Sequence, residues 1–554
     1  MTAPPVAPPP AASWLPALPD QNGIGRTDPR ACAAYSEGAG IFRIVPAAVA
    51  VPSTTAALRE LVAWAALHRV PLVPRGAGSG MTGGNVGPGV VVDLTVLDGC
   101  PLDVNREARR AVTGTGVTLQ DLAAAAERHG LRLPPDPSSA RFATLGGMVS
   151  TNAAGPRSVR AGSVRRWVEA LELITADGEP LTLRRGAPPG PSATVERFQR
   201  DAEPALRAAE DTIRRKFPKT RKNSSGYALD AWLASGHLLD LVIGAEGTLG
   251  IVTRIEWRLE PVPAGYAGLR AALRTHEALA ELVPRLLELG PSAVEYLDAT
   301  FLRFAGAGAG KEEIAGNGGL LMVEFEADGA APLTERLGEA RRVLGAVSSD
   351  LKEAGDRRGL EELWAVRHAA SPALARLGES RRSMQVIEDA CVPVEALPRY
   401  IALVRAASER HGVEAVLFGH VGDANLHVNL LPDVTRAGWE ERVTAIFADV
   451  TAAVVRLGGT LSGEHGDGRL RAHALASVFG PEIVELFRLV KHAFDPSAIL
   501  NPGVKLPAGV ERPFASLKAG PGAAPIPADI EARLRLMERE AGYAVSRLDL
   551  TEAR

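Results

Sequence analysis

A glycine-rich stretch near the start of the chain restricts its possible folds more than any other feature. Between Pro74 and Gly84 five glycines occur in eleven residues, flanked by apolar strand-like runs at 70–73 and 89–94. Closely spaced small residues let successive backbone N–H groups face a diphosphate, so this is a candidate dinucleotide loop. It lacks the GxxxxGK[ST] pattern and a strand follows it, which argues against a P-loop and a Rossmann turn. On glycine content alone, a purely structural turn stays equally open.

The length and the net charge of the chain limit its number of domains and the kinds of partner it can bind. A chain of 554 residues exceeds what one hydrophobic core uses, so two or three domains are expected. Its 62 basic and 65 acidic residues nearly cancel, which argues against nucleic acid or an anionic lipid surface as a partner. One basic run is interpreted as a solvated helix end, and consists of Arg214, Arg215, Lys216, Lys219, Arg221 and Lys222.

Cysteine spacing and hydropathy indicate the compartment. Cys32, Cys100 and Cys391 are far apart and form no CxxC pair, which argues against disulfides, a zinc ribbon or iron–sulfur ligands. No stretch reaches about 18 uncharged apolar residues, and no basic segment precedes an apolar run at the start. We expect a cytoplasmic protein, free or peripheral at a membrane, with no transmembrane segment.

The alternation of strand and helix patterns predicts two domains. Both types alternate to about residue 262, and amphipathic helices separated by strands then continue to about 490. The expected units are a tail (1–40), a first α/β domain (41–262), a second, α+β domain (263–490), a C-terminal segment (491–510) and a linker with a peripheral helix (511–554).

Two histidines and a carboxylate form a candidate metal site. His420 and His427 flank the turn-like segment 422–425, and Glu464 lies in the glycine-bounded GEHGDG. Two imidazoles and one carboxylate are a ligand set that leaves coordination positions open. Histidines in such loops more often serve packing or hydrogen bonding, so ligation and a structural role both stay open at this point.

Five blocks, in order, resemble the vanillyl-alcohol oxidase / p-cresol methylhydroxylase flavoprotein superfamily. They are the glycine loop, PPDPSSARFATLGGMVSTNAAG (134–155), IGAEGTLGIVT (243–253), GHVGDANLHVNL (419–430), and GEHGDG with FDPSAILNPG. The resemblance covers about residues 40–505. It implies an α+β fold in which an FAD-binding domain of two subdomains is followed by an α+β cap domain, with 491–510 returning to the flavin.

The resemblance also implies which residues hold FAD. They are Pro74, Arg75, Gly76, Ala77, Gly78, Ser79, Gly80, Thr82 and Gly83 at the pyrophosphate, Pro135, Asp136, Thr144, Gly147, Ser150 and Asn152 along the flavin and ribityl chain, Glu246, Gly247 and Ile251 on the adenosine side, and Asn501 as a further contact. Some relatives tether FAD through a histidine in the glycine loop. Because Gly78–Gly80 contains none, we expect FAD to bind non-covalently.

The pattern GHxGDxNxH followed by GEHG resembles the metal-bearing D-2-hydroxy-acid dehydrogenase branch. This implies that His420, His427 and Glu464 bind a divalent metal, zinc or manganese. It makes His465 the general base, and Arg367 in LWAVRHAAS the residue that binds the substrate carboxylate. The expected reaction is oxidation of a small D-2-hydroxy acid of the D-lactate or glycolate type. Electrons then pass from FAD to a quinone, an electron-transfer protein or an iron–sulfur partner.

Several alternatives stay open. One is a metal-free flavin oxidase of an alcohol or sugar, and another is a flavin subunit of a multi-subunit electron-transfer complex. Some relatives have a lysine just before the position of Glu388, and its absence here favours a monocarboxylate over 2-hydroxyglutarate. Arg381 and Arg382 are candidate substitutes for that lysine. A homodimer is also open.

Overall fold

The computed structural model describes residues 18–19, 25–305, 318–348, 350–378, 380–509, 514–540, 542–543 and 546–552. Parts of the predicted N-terminal tail and of the predicted C-terminal linker lie outside these residues. Within them, the strands form three main sheets and helices pack against these sheets, which confirms the predicted α+β fold. None of the described helices is long and apolar enough to cross a membrane.

The first sheet carries the glycine loop. Its four strands, in spatial order, are Gly25–Arg26, Ala48–Ala50, Val90–Asp93 and Leu72–Arg75. The last three are parallel, and helix Thr55–His68 packs on them through Leu58, Leu61 and Val62. This helix begins where the Thr54 hydroxyl accepts a hydrogen bond from the backbone N–H of Ala57, as a threonine N-cap does.

The second sheet is antiparallel and completes the predicted flavin-binding half. Its strands, in spatial order, are Leu102–Asn105, Arg110–Gly114, Ile251–Arg258, Val168–Ile174 and Pro180–Arg184, and a separate ribbon pairs Leu131–Arg132 with Glu260–Pro261. The helices of this part are Leu119–Glu127, Leu145–Thr151, Ser158–Ala161, Ala193–Arg197, Glu203–Ala208, Glu210–Lys216, Leu229–Ser235, Leu239–Val242, Leu475–Phe479 and Pro481–Phe494. The last two belong to its hydrophobic core, so the chain rejoins this half before residue 490, the predicted boundary.

The third sheet, the cap sheet, has seven antiparallel strands. In spatial order they are Leu351–Ala354, Gly265–Leu273, Gly319–Ala327, Ala293–Asp298, Glu414–His420, Asn425–Leu431 and Met384–Cys391. Its helices are Leu279–Glu288, Ala299–Ala305, Ala330–Gly345, Arg357–His368, Ala370–Ala375, Leu397–His411 and Trp439–Arg456. Consecutive strand residues such as Met322 and Val323 point to opposite faces of this sheet and belong to separate hydrophobic cores, as the two-residue period of a strand requires.

The two ends of the chain, expected from the sequence to be a tail and a peripheral helix, pack against each other. Helix Pro29–Ala34 and helix Ala528–Glu540 share a core with Val73 and Val91 of the first sheet. Ion pairs such as Arg43–Glu531, 2.5 Å, join the two ends further. The described part of 25–40 and the C-terminal helix are therefore integral to the flavin-binding half.

Candidate active site

A single large cavity receives residues from all three sheets. Its volume is about 1130 Å³, slightly above the roughly 300 to 1000 Å³ usual for ligand pockets. The glycine loop 74–82 lies along one part of its wall, and His420, His427, Glu464 and His465 lie along another. The cavity therefore brings the candidate dinucleotide loop and the candidate metal site to one space.

Most of the predicted FAD-binding residues line this cavity. They are Pro74, Arg75, Gly76, Ala77, Gly78, Ser79, Gly80, Thr82, Asp136, Thr144, Gly147, Ser150, Glu246, Gly247 and Ile251. Gly83, Pro135, Asn152 and Asn501 are not among the lining residues. The Asn501 side-chain amide instead donates to the carbonyls of Gly84 (2.8 Å) and Glu246 (2.9 Å), so it ties two wall segments together from behind.

The glycine loop is held from its outer side. Gly78 has φ 78°, and a Cβ there would lie 2.7 Å from the guanidinium carbon of Arg75. That guanidinium donates to the carbonyls of Tyr35 (3.2 Å) and Glu37 (2.8 Å). Arg75, predicted at the pyrophosphate, thus donates to the N-terminal segment and also to the Asn85 carbonyl (3.3 Å), so it supports the loop from its outer side.

A hairpin positions the two candidate histidine ligands. Strands Glu414–His420 and Asn425–Leu431 pair so that His427 lies opposite Phe418 and His420 opposite Asn425. Both imidazoles fall on one face, with their Nε2 atoms 3.3 Å apart. The tight turn places Ala424 at φ 51°, a left-handed conformation that glycine adopts more readily.

Glu464 completes a group whose spacing fits one cation. Its Oε1 lies 2.9 Å from His420 Nε2 and 3.5 Å from His427 Nε2. An ion bonded at about 2.1 Å to each of three atoms spaces those atoms roughly 3.0 to 3.4 Å apart, which these distances approximate. All three side chains are buried, and two nitrogens with one oxygen suit zinc or manganese.

The other Glu464 oxygen, Oε2, is taken by the protein. It accepts from Lys222 Nζ and from the backbone N–H of Gly155, each at 2.9 Å. Burial opposes ionisation, but Lys222 and His420 hold the pKa of Glu464 well below its usual value. The Lys222 side chain is only 6% exposed, so its interpretation as part of a solvated helix end is wrong.

His420 is backed by a buried carboxylate and arginine. Its Nδ1 lies 2.5 Å from Glu295 Oε1, and Arg367 Nε donates to Glu295 Oε2 at 2.9 Å. Although burial raises it, the pKa of Glu295 is held below its usual value by His420 and Arg367. A carboxylate behind a histidine fixes the tautomer that leaves Nε2 free to bind a metal. Arg367 is buried and also lines the cavity, so its ion pair with Glu295 is not a surface contact.

His465 lies beside this group. Its Nδ1 is hydrogen-bonded to Glu388, its Nε2 is 3.7 Å from Glu464 Oε1, and its ring stacks on His427 with 5.1 Å between centroids. Burial disfavours the imidazolium, but the Glu388 and Asp389 carboxylates outweigh this and raise the pKa of His465 to about 9. The shift is upward from the ordinary value of an imidazole, about 6.5.

Asp389 holds the loop that carries the ligand and the base. One of its oxygens, Oδ2, accepts the backbone N–H groups of Glu464 (2.7 Å) and His465 (2.8 Å). Sequence reasoning missed Lys222, Glu295, Glu388 and Asp389 as site residues. An acidic pair inside the apolar run VIEDAC was a usable signal, because a buried strand seldom carries unpaired charge.

Arg381 and Arg382 lie away from the candidate metal ligands. Strand Met384–Cys391 pairs with the hairpin so that Asp389 lies opposite His427. Arg381 comes before this strand and pairs with Asp433, six residues beyond His427. Arg381 also forms an ion pair with Glu414. Both arginines line a more distant part of the cavity.

Two protein families match the chain. Residues 46–184 match the family described as FAD binding domain, and residues 267–504 match the family described as FAD linked oxidases, C-terminal domain.

Three curated relatives match over most of their own length. D-lactate dehydrogenase of Archaeoglobus fulgidus is 31% identical over 458 residues, covering 82% of this chain and 90% of that protein. Glycolate oxidase subunit GlcD of Bacillus subtilis is 29% identical over 469 residues, covering 83% and 89%. D-2-hydroxyglutarate dehydrogenase of Xanthomonas citri pv. viticola is 30% identical over 470 residues, also covering 83% and 89%.

Solved structures share the fold at lower identity. 4-Ethylphenol oxidase from Gulosibacter chungangensis, in complex with isoeugenol, matches with a TM-score of 0.65 at 16% identity, over 91% of this chain and 99% of that one. Alkyldihydroxyacetonephosphate synthase matches with a TM-score of 0.61 at 17% identity, over 91% and 86%.

Proposed function

We propose that this chain, which belongs to the FAD-linked oxidase family, oxidises a small D-2-hydroxy acid of the D-lactate or glycolate type to the 2-oxo acid. The family makes it a flavoenzyme acting on CH–OH donors, and the names of relatives at about 30% identity suggest the substrate class. One observation carries the proposal: the glycine loop and the buried histidine–carboxylate group open into the same cavity.

FAD fits the glycine-lined part of the cavity. Bound FAD supplies the two-electron acceptor. Backbone N–H groups of the glycine loop would hold its pyrophosphate, with Thr144 and Gly147 on the adjoining wall. Because Gly78–Gly80 contains no histidine that could form a covalent link to FAD, we infer that FAD binds non-covalently and can dissociate.

His420, His427 and Glu464 would hold a divalent metal, zinc or manganese. Such a cation supplies Lewis-acid chemistry that lowers the pKa of a hydroxyl group bound to it. The ion need not change its oxidation state, because FAD carries the electrons. Glu464 would offer Oε1 alone, since Lys222 and Gly155 occupy Oε2.

The remaining polar side chains would orient the substrate and move its proton. In its neutral form, His465 would take the hydroxyl proton as general base, and the hydrogen on the substrate Cα would be transferred to FAD as a hydride. Because the pKa of His465 is raised to about 9, this neutral form becomes the main one only above that pH. Arg367, with Nε held by Glu295, would offer its guanidinium to the substrate carboxylate from the cavity wall.

A second candidate is a flavin subunit of a larger electron-transfer complex. The name of one relative, glycolate oxidase subunit GlcD, favours it. In both interpretations a separate acceptor such as a quinone, an electron-transfer protein or an iron–sulfur protein would take up the electrons. Turnover of the purified chain alone with an artificial dye would argue against a strict need for other subunits.

Substrate screening tests the proposal. The purified chain, loaded with FAD, is mixed anaerobically with D-lactate, L-lactate, glycolate or D-2-hydroxyglutarate, and bleaching of the flavin is followed. We expect D-lactate or glycolate to bleach it fastest. A chelator should stop turnover, and added Zn²⁺ or Mn²⁺ should restore it. Oxidation of an alcohol or sugar by metal-free protein, with no response to 2-hydroxy acids, would overturn the proposal.

A further inference from the structure

Glu388 lies between two histidines of the site, and the geometry points to it as a positioning residue. We propose that it fixes the ring orientation and tautomer of the base His465 and faces the metal ligand His427 at the same time. This inference rests on the proposed function, in which His465 accepts the substrate proton.

The backbone at Glu388 is unusual for a strand. The residue has φ 64°, a left-handed backbone conformation that residues other than glycine rarely adopt. The pairing of Met384–Cys391 with its neighbour is also irregular between Met384 and Glu388. A strained backbone conformation of this kind is kept only where surrounding contacts hold it in place, and such residues are concentrated at functional sites.

The two carboxylate oxygens of Glu388 face different histidines. Oε2 is hydrogen-bonded to Nδ1 of His465, and Oε1 lies 3.7 Å from Nδ1 of His427. That His427 nitrogen is buried and has no hydrogen-bond partner within the part of the chain that the structure describes. Glu388 itself is only 4% exposed, so these contacts occur away from bulk water.

This arrangement selects one tautomer for each ring. With Nδ1 of His465 donating to Glu388, the lone pair of the neutral ring is left on Nε2, the nitrogen that faces Glu464. His427 needs its Nε2 lone pair for the metal, so its proton must sit on Nδ1, facing the Glu388 carboxylate. One carboxylate would thus orient both the base and a ligand, much as the buried aspartate orients histidine in a serine-protease triad.

Charged neighbours hold Glu388 in place. Arg471 Nη2 lies 3.6 Å from Glu388 Oε2 and 2.9 Å from Asp389 Oδ1, and Arg471 donates to the carbonyls of Gly466 and Ile387. Because Asp389 binds the backbone of Glu464 and His465, the adjacent pair controls both the main chain and the ring of the base.

A double-mutant cycle tests the role. FAD content, metal content and the rate of anaerobic flavin reduction are measured for E388Q, E388D, H465A and E388Q/H465A. We expect E388Q to keep FAD and metal but to reduce flavin about 10²-fold or more slowly, as loss of a working base does. E388D should recover part of the rate. The double variant should be no slower than H465A, because Glu388 acts through His465.

A direct readout separates this inference from the proposed function. In the substrate-free wild type, the His465–Glu388 hydrogen bond should give a proton NMR signal downfield of the backbone amides, absent from E388Q and H465A. The buried-carboxylate control D298N, which lies outside the cavity, should keep this signal. Failure of every 2-hydroxy acid to bleach the wild type would refute the proposed function, whereas the NMR signal does not depend on substrate.

Three outcomes would overturn the inference. Wild-type rates in E388Q would show that Glu388 does not position the base. If the rate loss in E388Q/H465A equals the product of the losses in the two single variants, Glu388 acts independently of His465. Loss of metal from E388Q as complete as from a His427→Ala variant would make Glu388 a ligand, consistent with its closeness to both His427 and His465.

Discussion

The glycine loop and the histidine–carboxylate group share one cavity but are built in opposite ways. The loop is a single run of residues whose closely spaced glycines would offer backbone N–H groups to the pyrophosphate. The group gathers side chains from five separate segments, contributed by Lys222, Glu295, Glu388, the His420–His427 hairpin and the Glu464–His465 loop. A backbone cradle depends on local conformation, whereas a side-chain cluster depends on how distant segments pack. The two regions should therefore respond differently to single substitutions.

The largest effects are expected at the metal ligands and the base. His420→Ala, His427→Ala and Glu464→Ala should each lose both bound metal and activity, because each removes one of three ligands. His465→Ala should keep metal and FAD yet reduce flavin about 10²- to 10⁴-fold more slowly, as loss of a general base does. Metal analysis and anaerobic flavin reduction on all four variants measure both effects.

Either of two results would change the assignment. If His465→Ala loses metal as fully as His427→Ala, His465 is a ligand or a structural support rather than the base. If metal content is the same in all four variants and the wild type, the metal site itself is wrong. The metal-free oxidase then becomes the better interpretation.

Lys222→Met should cause the next largest effect, on stability. It leaves the Glu464 carboxylate buried beside the Gly155 N–H without its cation, and breaking a buried ion pair costs about 3 to 5 kcal/mol. Denaturant unfolding measures the loss. Lys219→Met is the matched control: Lys219 is in the same basic run but exposed, so a change within about 0.5 kcal/mol is expected. Equal stability of the two variants would contradict the buried pair.

Arg367→Lys should weaken substrate use by an intermediate amount. A lysine cannot hold Glu295 and fork onto a carboxylate at once, and loss of a charge-assisted pair costs about 1.5 to 3 kcal/mol. This should appear as a fall of roughly tenfold or more in kcat/KM for the 2-hydroxy acid. Glu295→Gln keeps the arginine but removes its partner. If Glu295→Gln reproduces the whole loss, Arg367 acts only by supporting His420.

Gly78→Ala should give the smallest effect, confined to FAD affinity. A left-handed alanine costs about 1 to 2 kcal/mol, and its Cβ would press on the Arg75 guanidinium beneath the loop. Gly99→Ala is the control, since Gly99 has φ 66°, is exposed and would have no neighbour within 4 Å of a Cβ. FAD titration compares them. Equal affinity in both variants would show that the cradle does not depend on this contact.

The helix ends that could be predicted from the sequence are those set by residues within a few positions of them. Ser53 and Thr54 are helix-capping residue types that precede a helical pattern ending near His68, and the helix runs from Thr55 to His68 with Thr54 as its cap. The two prolines of FDPSAILNPG favour a helix end, and helix Pro481–Phe494 ends at the first residue of that segment. Capping residues, prolines and glycines act over a few positions, so their effect does not depend on the rest of the chain.

The sequence by itself indicated the α+β flavin fold, the glycine loop and the three candidate metal ligands, because they lie in short, ordered blocks that resemble a flavoprotein superfamily. Only the tertiary structure decided that Lys222 is buried against Glu464, 242 residues away, and that Arg367 pairs with Glu295. It also decided that the two chain ends share a core. The strength of such contacts depends on burial, and burial is set by segments that are distant in the chain.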